Sequence, residues 1–286
     1  MSASSINPFV RFAKQFRLAG PIRLDRCPVC ASPDIGRLWQ LPQTRLSKTA
    51  HIDSPGSDID RLYLDYLPTL KVPQDIFCYD ICARCESIFR NPKDDDHTNY
   101  ARDTSKVERF RSHGASEFLG AAKTYQNYFP KDTRTVVDAA CGAGQVLSLL
   151  KELRQPLKLI GMEMSEPSVA FIASELGIHA HLVDLDHDDL DSLVAPGSAD
   201  FVIFQEAFEH VRAPIGVLRK LLRMLRSGGR LHFTAQRYGE DNELQIRVGE
   251  PIFINDQALK YIVEQLDAKV HDQKKDIKFR IVLEKR

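Results

Sequence analysis

Hydrophobic and polar positions change texture near residue 116. Before that point the chain is irregular and punctuated by nine of its 15 prolines. After it, apolar β-rich runs alternate with helical periods. Phe118, Ala122, Tyr125 and Tyr128 share a helical face, so residues 116–128 are predicted as a helix. Thr135–Ala140 reads as a short buried strand, and Gly142 and Gly144 open a helix through Val146, Leu149, Leu150 and Leu153. Strands follow over Leu157–Met164, His179–Asp184 and Phe201–Gln205, with helices over Pro167–Leu176 and Pro214–Leu225. Ser227-Gly228-Gly229 reads as a turn before a strand Arg230–Ala235, and a helix Asp256–Leu266 precedes a closing strand Lys278–Glu284. Strands alternating with helices predict βαβ units, hence a mostly parallel sheet covered on both faces. Such sheets bind ligands beyond the carboxyl ends of their strands.

The length of 286 residues fits this division: residues 1–115 as an arm and small module, residues 116–286 as an α/β domain. Composition adds exclusions. Lys plus Arg and Asp plus Glu both number 39, which removes a chain-wide basic field for nucleic acid. No window reaches the ~18 apolar residues of a membrane span. Arg11, Lys14 and Arg17 interrupt any apolar leader, so the expected location is cytoplasmic. Residues 1–24 hold Ser and Arg without an acid, as transit peptides do, but Phe9, Phe12 and Phe16 also stand at the spacing of an amphipathic arm. Asp94-Asp95-Asp96 reads as a solvated turn.

Cysteine placement is the next signal. Cys27-Pro28-Val29-Cys30 and Cys82-Ala83-Arg84-Cys85 are two C-x-x-C pairs, each with the form of a zinc knuckle. Four thiolates make a closed tetrahedral site, which is structural because no position is left for water. A redox pair and unrelated buried thiols are the alternatives. Cys78, four residues before Cys82, is a substitute ligand. The 51 residues between the knuckles form a long insertion with an apolar cluster at Leu62, Tyr63, Leu64, Tyr66 and Leu67.

The most informative stretch is Val136-Val137-Asp138-Ala139-Ala140-Cys141-Gly142-Ala143-Gly144, a strand ending in an acid and a glycine turn. A dinucleotide fingerprint needs a third glycine where this chain has Leu147, which counts against a nicotinamide dehydrogenase. Asp138 beside the turn suits a positively charged ligand without phosphate.

This stretch resembles the first motif of class I S-adenosylmethionine-dependent methyltransferases, as a D-x-x-C-G-x-G variant. Gly161-Met162-Glu163-Met164-Ser165, Val183-Asp184-Leu185, the segment Asp200–Val211 and Leu225–Leu231 resemble the family's later landmarks, in order. The resemblance covers about residues 116–286. It implies a Rossmann-like doubly wound, mostly parallel seven-stranded sheet. It also implies S-adenosyl-L-methionine held by Asp138, Ala140, Cys141, Gly142, Gly144, Glu163, Met164, Asp184, Leu185 and Gln205. Glu163 would bind both ribose hydroxyls, and Asp184 with the next N–H would read adenine. Cys141 would be an apolar filler of the turn.

His210 is the candidate base and Glu206 a second catalytic candidate; Gln236, Arg237 and Tyr238 are candidates for the cleft wall, and residues 239–255 for a lid. His179, His181 and His232 read as packing or exposed strand residues. Knuckles at Cys27, Cys30, Cys82 and Cys85 ahead of such a domain resemble methyltransferases of bacterial sugar, glycan and natural-product pathways, with a structural Zn2+. Two departures stand out: Ala140 where many members have Gly, and Glu86 where Gly commonly follows the second pair. The chain is also short for the extra C-terminal domain of larger sugar C-methyltransferases. The expected acceptor is a small molecule or glycan precursor. An RNA acceptor is disfavoured by a net charge of only +3 over residues 1–115. A non-catalytic interaction protein on the same fold is the third reading, and the oligomeric state is not read from the sequence.

Overall fold

The computed structural model describes residues 24–42, 76–91, 101–153, 156–238, 251–276 and 278–286. The Phe9–Phe16 arm, the Leu62–Leu67 cluster, Asp94–Asp96 and residues 239–250 of the expected lid lie outside that set, as does the side chain of Cys78.

Seven strands form the main sheet: β4 (Thr135–Ala139), β5 (Lys158–Glu163), β6 (His179–Leu182), β7 (Ala199–Phe204), β8 (Leu225–Gln236), β10 (Ala268–Lys275) and β11 (Lys278–Lys285). Their order is β10-β11-β8-β7-β4-β5-β6. Strands β4 to β8 are parallel to one another, and β11 runs antiparallel to both β8 and β10. This is the mostly parallel, doubly wound sheet that the alternating pattern predicts. The helices are α1 (Ser105–His113), α2 (Leu119–Tyr128), α3 (Gln145–Leu153), α4 (Glu166–Ser174), α5 (Pro214–Met224) and α6 (Asp256–Glu264). Central β7 is buried at every position, as a strand covered on both faces must be.

Two elements differ from expectation. The Ser227–Gly229 turn is absorbed into β8 as an irregularity, because the register jumps from Ala199↔Leu225 to Phe201↔Arg230. A Cβ on Gly229 would stand 2.9 Å from the Arg226 carbonyl and 3.1 Å from that of Asp200, so only glycine lets the backbone pass. Strand β10 had no signal, since its pattern is mostly polar and half-exposed.

A second sheet holds β1 (Ile35–Pro42), β2 (Ile76–Cys82), β3 (Ile88–Arg90) and β9 (Ile252–Phe253), in that order and antiparallel. Its last strand comes from the far end of the chain: Ile88 pairs with Phe253 and Phe89 with Ile252. The cysteine pairs and Phe89 belong to the same buried cluster as Val202, Phe204, Phe233 and Leu259 of the main domain. Residues 101–113 likewise lie on the main domain. Ser165 Oγ donates to the Asp103 carbonyl at 3.0 Å, and the Phe110 and Phe171 rings meet edge-on at 5.1 Å.

Asp200 ties the base of the sheet. Its Oδ2 accepts the Arg134 and Thr135 N–H groups, each at 2.8 Å, and Oδ1 accepts Arg226 Nε at 2.5 Å. Burial alone would raise its carboxyl, but the Arg226 bond and the two backbone donors hold it below the usual range. Its stabilisation is therefore present above the unfolded carboxylate pKa and lost as pH falls through the lower folded value. Asp200→Ala is expected to cost about 2–3 kcal/mol at neutral pH. Urea titrations at pH 7 and pH 3 check this, with the difference from wild type shrinking at the lower pH.

Candidate active site and cysteine centre

The glycine turn leaves β4 through three left-handed residues: Ala140 at φ 60°, Gly142 at 59° and Gly144 at 78°. Ala140 adopts this conformation despite its Cβ, at a cost of about 1–2 kcal/mol. The turn is fastened to the end of β5. Cys141 N donates to the Met162 carbonyl at 3.1 Å, and Gly142 N donates to Glu163 Oε2 at 2.7 Å. Glu163 Oε1 accepts the Met164 and Ser165 N–H groups at 3.0 and 3.1 Å. Cys141 fills space: a Cβ on Gly161 would stand 3.0 Å from its Sγ.

A cavity of about 360 Å³ opens beyond these strand ends. Asp138, Ala140, Cys141, Gly142, Glu163, Met164, Asp184, Leu185, Gln205, Glu206 and His210 line it. Gly144 does not; a Cβ there would meet Ile172 at 3.0 Å and Leu176 at 3.1 Å, so this glycine serves the packing of the turn on α4. The sequence reading missed Lys106, Arg109 and Phe118, which line the cavity from the stretch before α2. The signal was available in the i,i+3 spacing of Lys106 and Arg109, but cations on a surface helix ordinarily face water.

Electrostatics set the cavity's preference. Asp138 is buried, and burial followed by the nearby Glu163 charge pushes its carboxyl up to about 8. Glu163 is equally buried, with three N–H donors on it and Lys106 Nζ 3.8 Å from Oε2. Asp184 accepts Asp186 N at 3.0 Å and pairs with His187 Nδ1 at 2.7 Å, which shapes the loop after β6. Gln205 accepts a hydrogen bond from the Tyr125 hydroxyl. Glu206, at φ 51°, accepts from Thr234 Oγ1 at 3.2 Å and is ion-paired with Lys278. Two carboxyls beside apolar Phe118, Val146, Ile203 and Val211 suit a ligand with a positive charge and an apolar or aromatic body.

The residues after β8 are not on this cavity's wall. Gln236 Nε2 donates to Glu209 Oε1 at 2.9 Å, Arg237 lies over the Phe279 ring at 5.6 Å, and Tyr238 donates to the Glu86 carbonyl. Residues 252–255 of the expected lid stretch supply β9 and the Asn255 cap of α6. His232 is buried, and burial with the Arg280 charge draws it down to about 4, so it is a neutral packing group at physiological pH. His179 and His181 sit on edge strand β6 with their Nε2 atoms 3.0 Å apart.

The four thiols of Cys27, Cys30, Cys82 and Cys85 lie within 4.8 Å of one another and are all buried. Cys27 and Cys85 Sγ are 3.7 Å apart and Cys30 and Cys82 Sγ 3.4 Å. Tetrahedral Zn–S bonds of about 2.3 Å would place sulfurs about 3.8 Å apart, so the donor set fits such an ion. Both turns share one form: Ala31 N donates to the Cys27 carbonyl and Glu86 N to the Cys82 carbonyl, each at 2.9 Å. The residue after each pair is left-handed, Ala31 at φ 58° and Glu86 at 61°.

Known proteins resemble this chain in sequence and fold. The family model described as a methyltransferase domain matches residues 137–233. A chain from the complex between the Haloferax volcanii Trm112 methyltransferase activator and a methyltransferase shares the fold at 18% identity. That match covers 67% of this chain and 98% of that one, with a TM-score of 0.51. A SAM-dependent methyltransferase from Aquifex aeolicus is 17% identical over 63% of this chain and 97% of its own, with a TM-score of 0.48. The SAH-bound N-terminal domain of EvdMO1 is 14% identical over 59% and 81%, with a TM-score of 0.47.

Two substitutions test the site without a ligand. Folded Asp138 keeps a proton that the unfolded chain releases, so stability falls as pH rises from about 4 to about 8. Asp138→Asn is expected to raise Tm little at pH 4 and several degrees at pH 8. Ala140→Gly relieves the left-handed strain, offset partly by unfolded-state entropy, for a net gain of about 0.5–1 kcal/mol in denaturant titration.

Proposed function

From the premise that this chain carries an S-adenosylmethionine-dependent methyltransferase domain, we propose that it methylates a small-molecule or glycan-precursor acceptor. The observation that carries this reading is the buried Asp138–Glu163 pair facing the glycine turn in one cavity. S-adenosylmethionine supplies an activated methyl group and brings both an ammonium and a sulfonium. Asp138 would hold the ammonium, which restores its ionised form. Lys106 and Arg109 offer cations for the amino acid's carboxylate. Glu163 would take the ribose. Three of its roughly four lone-pair sites already hold N–H donors, so one hydroxyl fits and a second requires a backbone donor to let go. Asp184 and the Leu185 N–H face the adenine end.

His210 is the proposed base where the nucleophile carries a proton, since it lines the cavity and an imidazole ring nitrogen can accept a proton. Glu206 is held by Thr234 and Lys278, so its proposed role is to shape the acceptor end rather than to take the proton. The enzyme's own contribution is positioning for in-line displacement and exclusion of water. The acceptor class is supported by the cavity's size and by the chain's balanced charge. We further propose a structural Zn2+ on Cys27, Cys30, Cys82 and Cys85, and that the expected boundary at residue 115 moves back so that residues 101–113 go with the transferase.

Calorimetric titration with S-adenosylhomocysteine, with NADH as control, tests the cofactor. A Kd of ~1–100 μM for the first alone is expected. Asp138→Asn should weaken it ~10–100-fold, the worth of one charge-assisted bond. No binding by folded, metal-loaded protein would overturn the reading in favour of a non-catalytic module. Metal analysis should find one zinc per chain, lost in Cys27→Ser.

A further inference from the structure

Glu86 occupies a position where glycine would be free of strain. It follows Cys85 directly, has φ 61°, and repeats the geometry of Ala31 after the first pair. A β-carbon in this conformation has a cost that must be offset by something the side chain or its placement does. What Glu86 does is specific. Its carboxylate Oε2 accepts from Asn255 Nδ2 at 2.7 Å, and its carbonyl accepts from the Tyr238 hydroxyl. These two partners stand at either end of the connection between β8 and α6. Neighbouring contacts point the same way: Gln257 Nε2 donates to the Arg84 carbonyl at 3.2 Å, and the Arg84 guanidinium lies over Tyr261 at 5.3 Å.

From that clamp a short run of hydrogen bonds leads to the cavity wall. Tyr238 N donates to the Ile254 carbonyl at 3.1 Å, and Ile254 N donates to the Gln236 carbonyl at 2.9 Å. Gln236 Nε2 then holds the buried Glu209, which immediately precedes His210. Two residues back along β8, Thr234 Oγ1 accepts the Glu206 N–H at 2.8 Å. The segment Glu206–His210 after β7 is thus fixed from behind by a strand end that the second knuckle grips.

We propose that Glu86 is a positioning residue of the transferase: it transmits the rigidity of the four-cysteine centre to the Glu206–His210 wall of the cavity. The inference rests on the metal and methyltransferase readings above for its meaning, but its geometry needs neither ligand. Glycine at 86 would keep the turn and lose the carboxylate. Glutamine would keep an acceptor for Asn255.

The test is amide hydrogen exchange on the full-length, zinc-loaded protein, with zinc content and Tm measured in parallel. For Glu86→Gly the expected result is retained zinc, a Tm no lower than wild type, and at least tenfold faster exchange at Glu206, His210 and Val211. Glu86→Gln should restore wild-type exchange. Unchanged exchange in Glu86→Gly, or equally fast exchange in Glu86→Gln, would overturn the proposal. If Glu86→Gly loses zinc, Tyr238→Phe decides, since it removes only the hydroxyl: faster exchange at the same three amides supports the inference and wild-type exchange overturns it. Wild-type protein that fails to bind S-adenosylhomocysteine while showing these shifts would sink the methyltransferase reading and leave the positioning role standing.

Discussion

Two buried carboxyl groups share one cavity, and the geometry around them follows from that. Glu163 accepts three backbone donors that converge on it from the turn and from its own strand end. Asp138, one strand over, is left with burial and a negative neighbour, and so is held up to about 8. The two groups are chemically alike and differently surrounded, because three backbone N–H groups bond to Glu163 and burial dominates at Asp138. A cation entering the cavity gains from Asp138 an ionisation that the empty site withholds. The turn makes this difference: only its left-handed path through Ala140 and Gly142 brings the Gly142 N–H onto Glu163.

Strain is concentrated in the same places. Among the described residues, four that are not glycine have positive φ: Ala31, Glu86, Ala140 and Glu206. Two follow the cysteine pairs, one lies in the turn, and one begins the segment after β7. None sits in a helix or strand. Each carries an unfavourable backbone conformation, and each is bonded at a point where direction matters more than local stability. The buried aromatic core behind them, with Phe201, Phe204, Phe208 and Phe233 all excluded from water, supplies the stability that offsets this cost.

Much of this was legible in the sequence. Strand-end acids at 138, 163 and 184 were readable because each follows an apolar run and precedes a helix or turn. The cysteine pairs were readable because tetrahedral ligation needs two close thiols from each turn. The departures from glycine at Ala140 and Glu86 were visible as letters, but their φ values were not, since only the fold says which residue must turn left. Strand β9 was illegible for a different reason. Two residues carry no period, and their pairing with Ile88 and Phe89 is a matter of tertiary proximity. Lys106 was missed because a lysine on an amphipathic helix faces water unless another element covers it. Gln236 and Tyr238 were assigned to the cleft, whereas their partners Glu209 and Glu86 draw them inward.

The small sheet cannot be treated as an independent appendage. The three N-terminal strands of this sheet and two cysteine turns bury too little to stand alone without a metal or a neighbour. Here the main domain is the neighbour, and the four buried thiols are a donor set for a metal. All four thiols lie before residue 86, so an ion could be ligated as soon as the N-terminal part is made. The edge of β3 is then complete but unpaired, because its partner β9 lies at residues 252–253. Non-local pairing of this kind is slow, since loop closure must precede any gain from contact. A β3 held by ligated thiols would reduce that cost by presenting a rigid template. The strand end that it captures is the one that backs the Glu206–His210 wall. The cysteine centre and the Glu206–His210 wall are thus joined through β9 and the end of β8 rather than built as separate units.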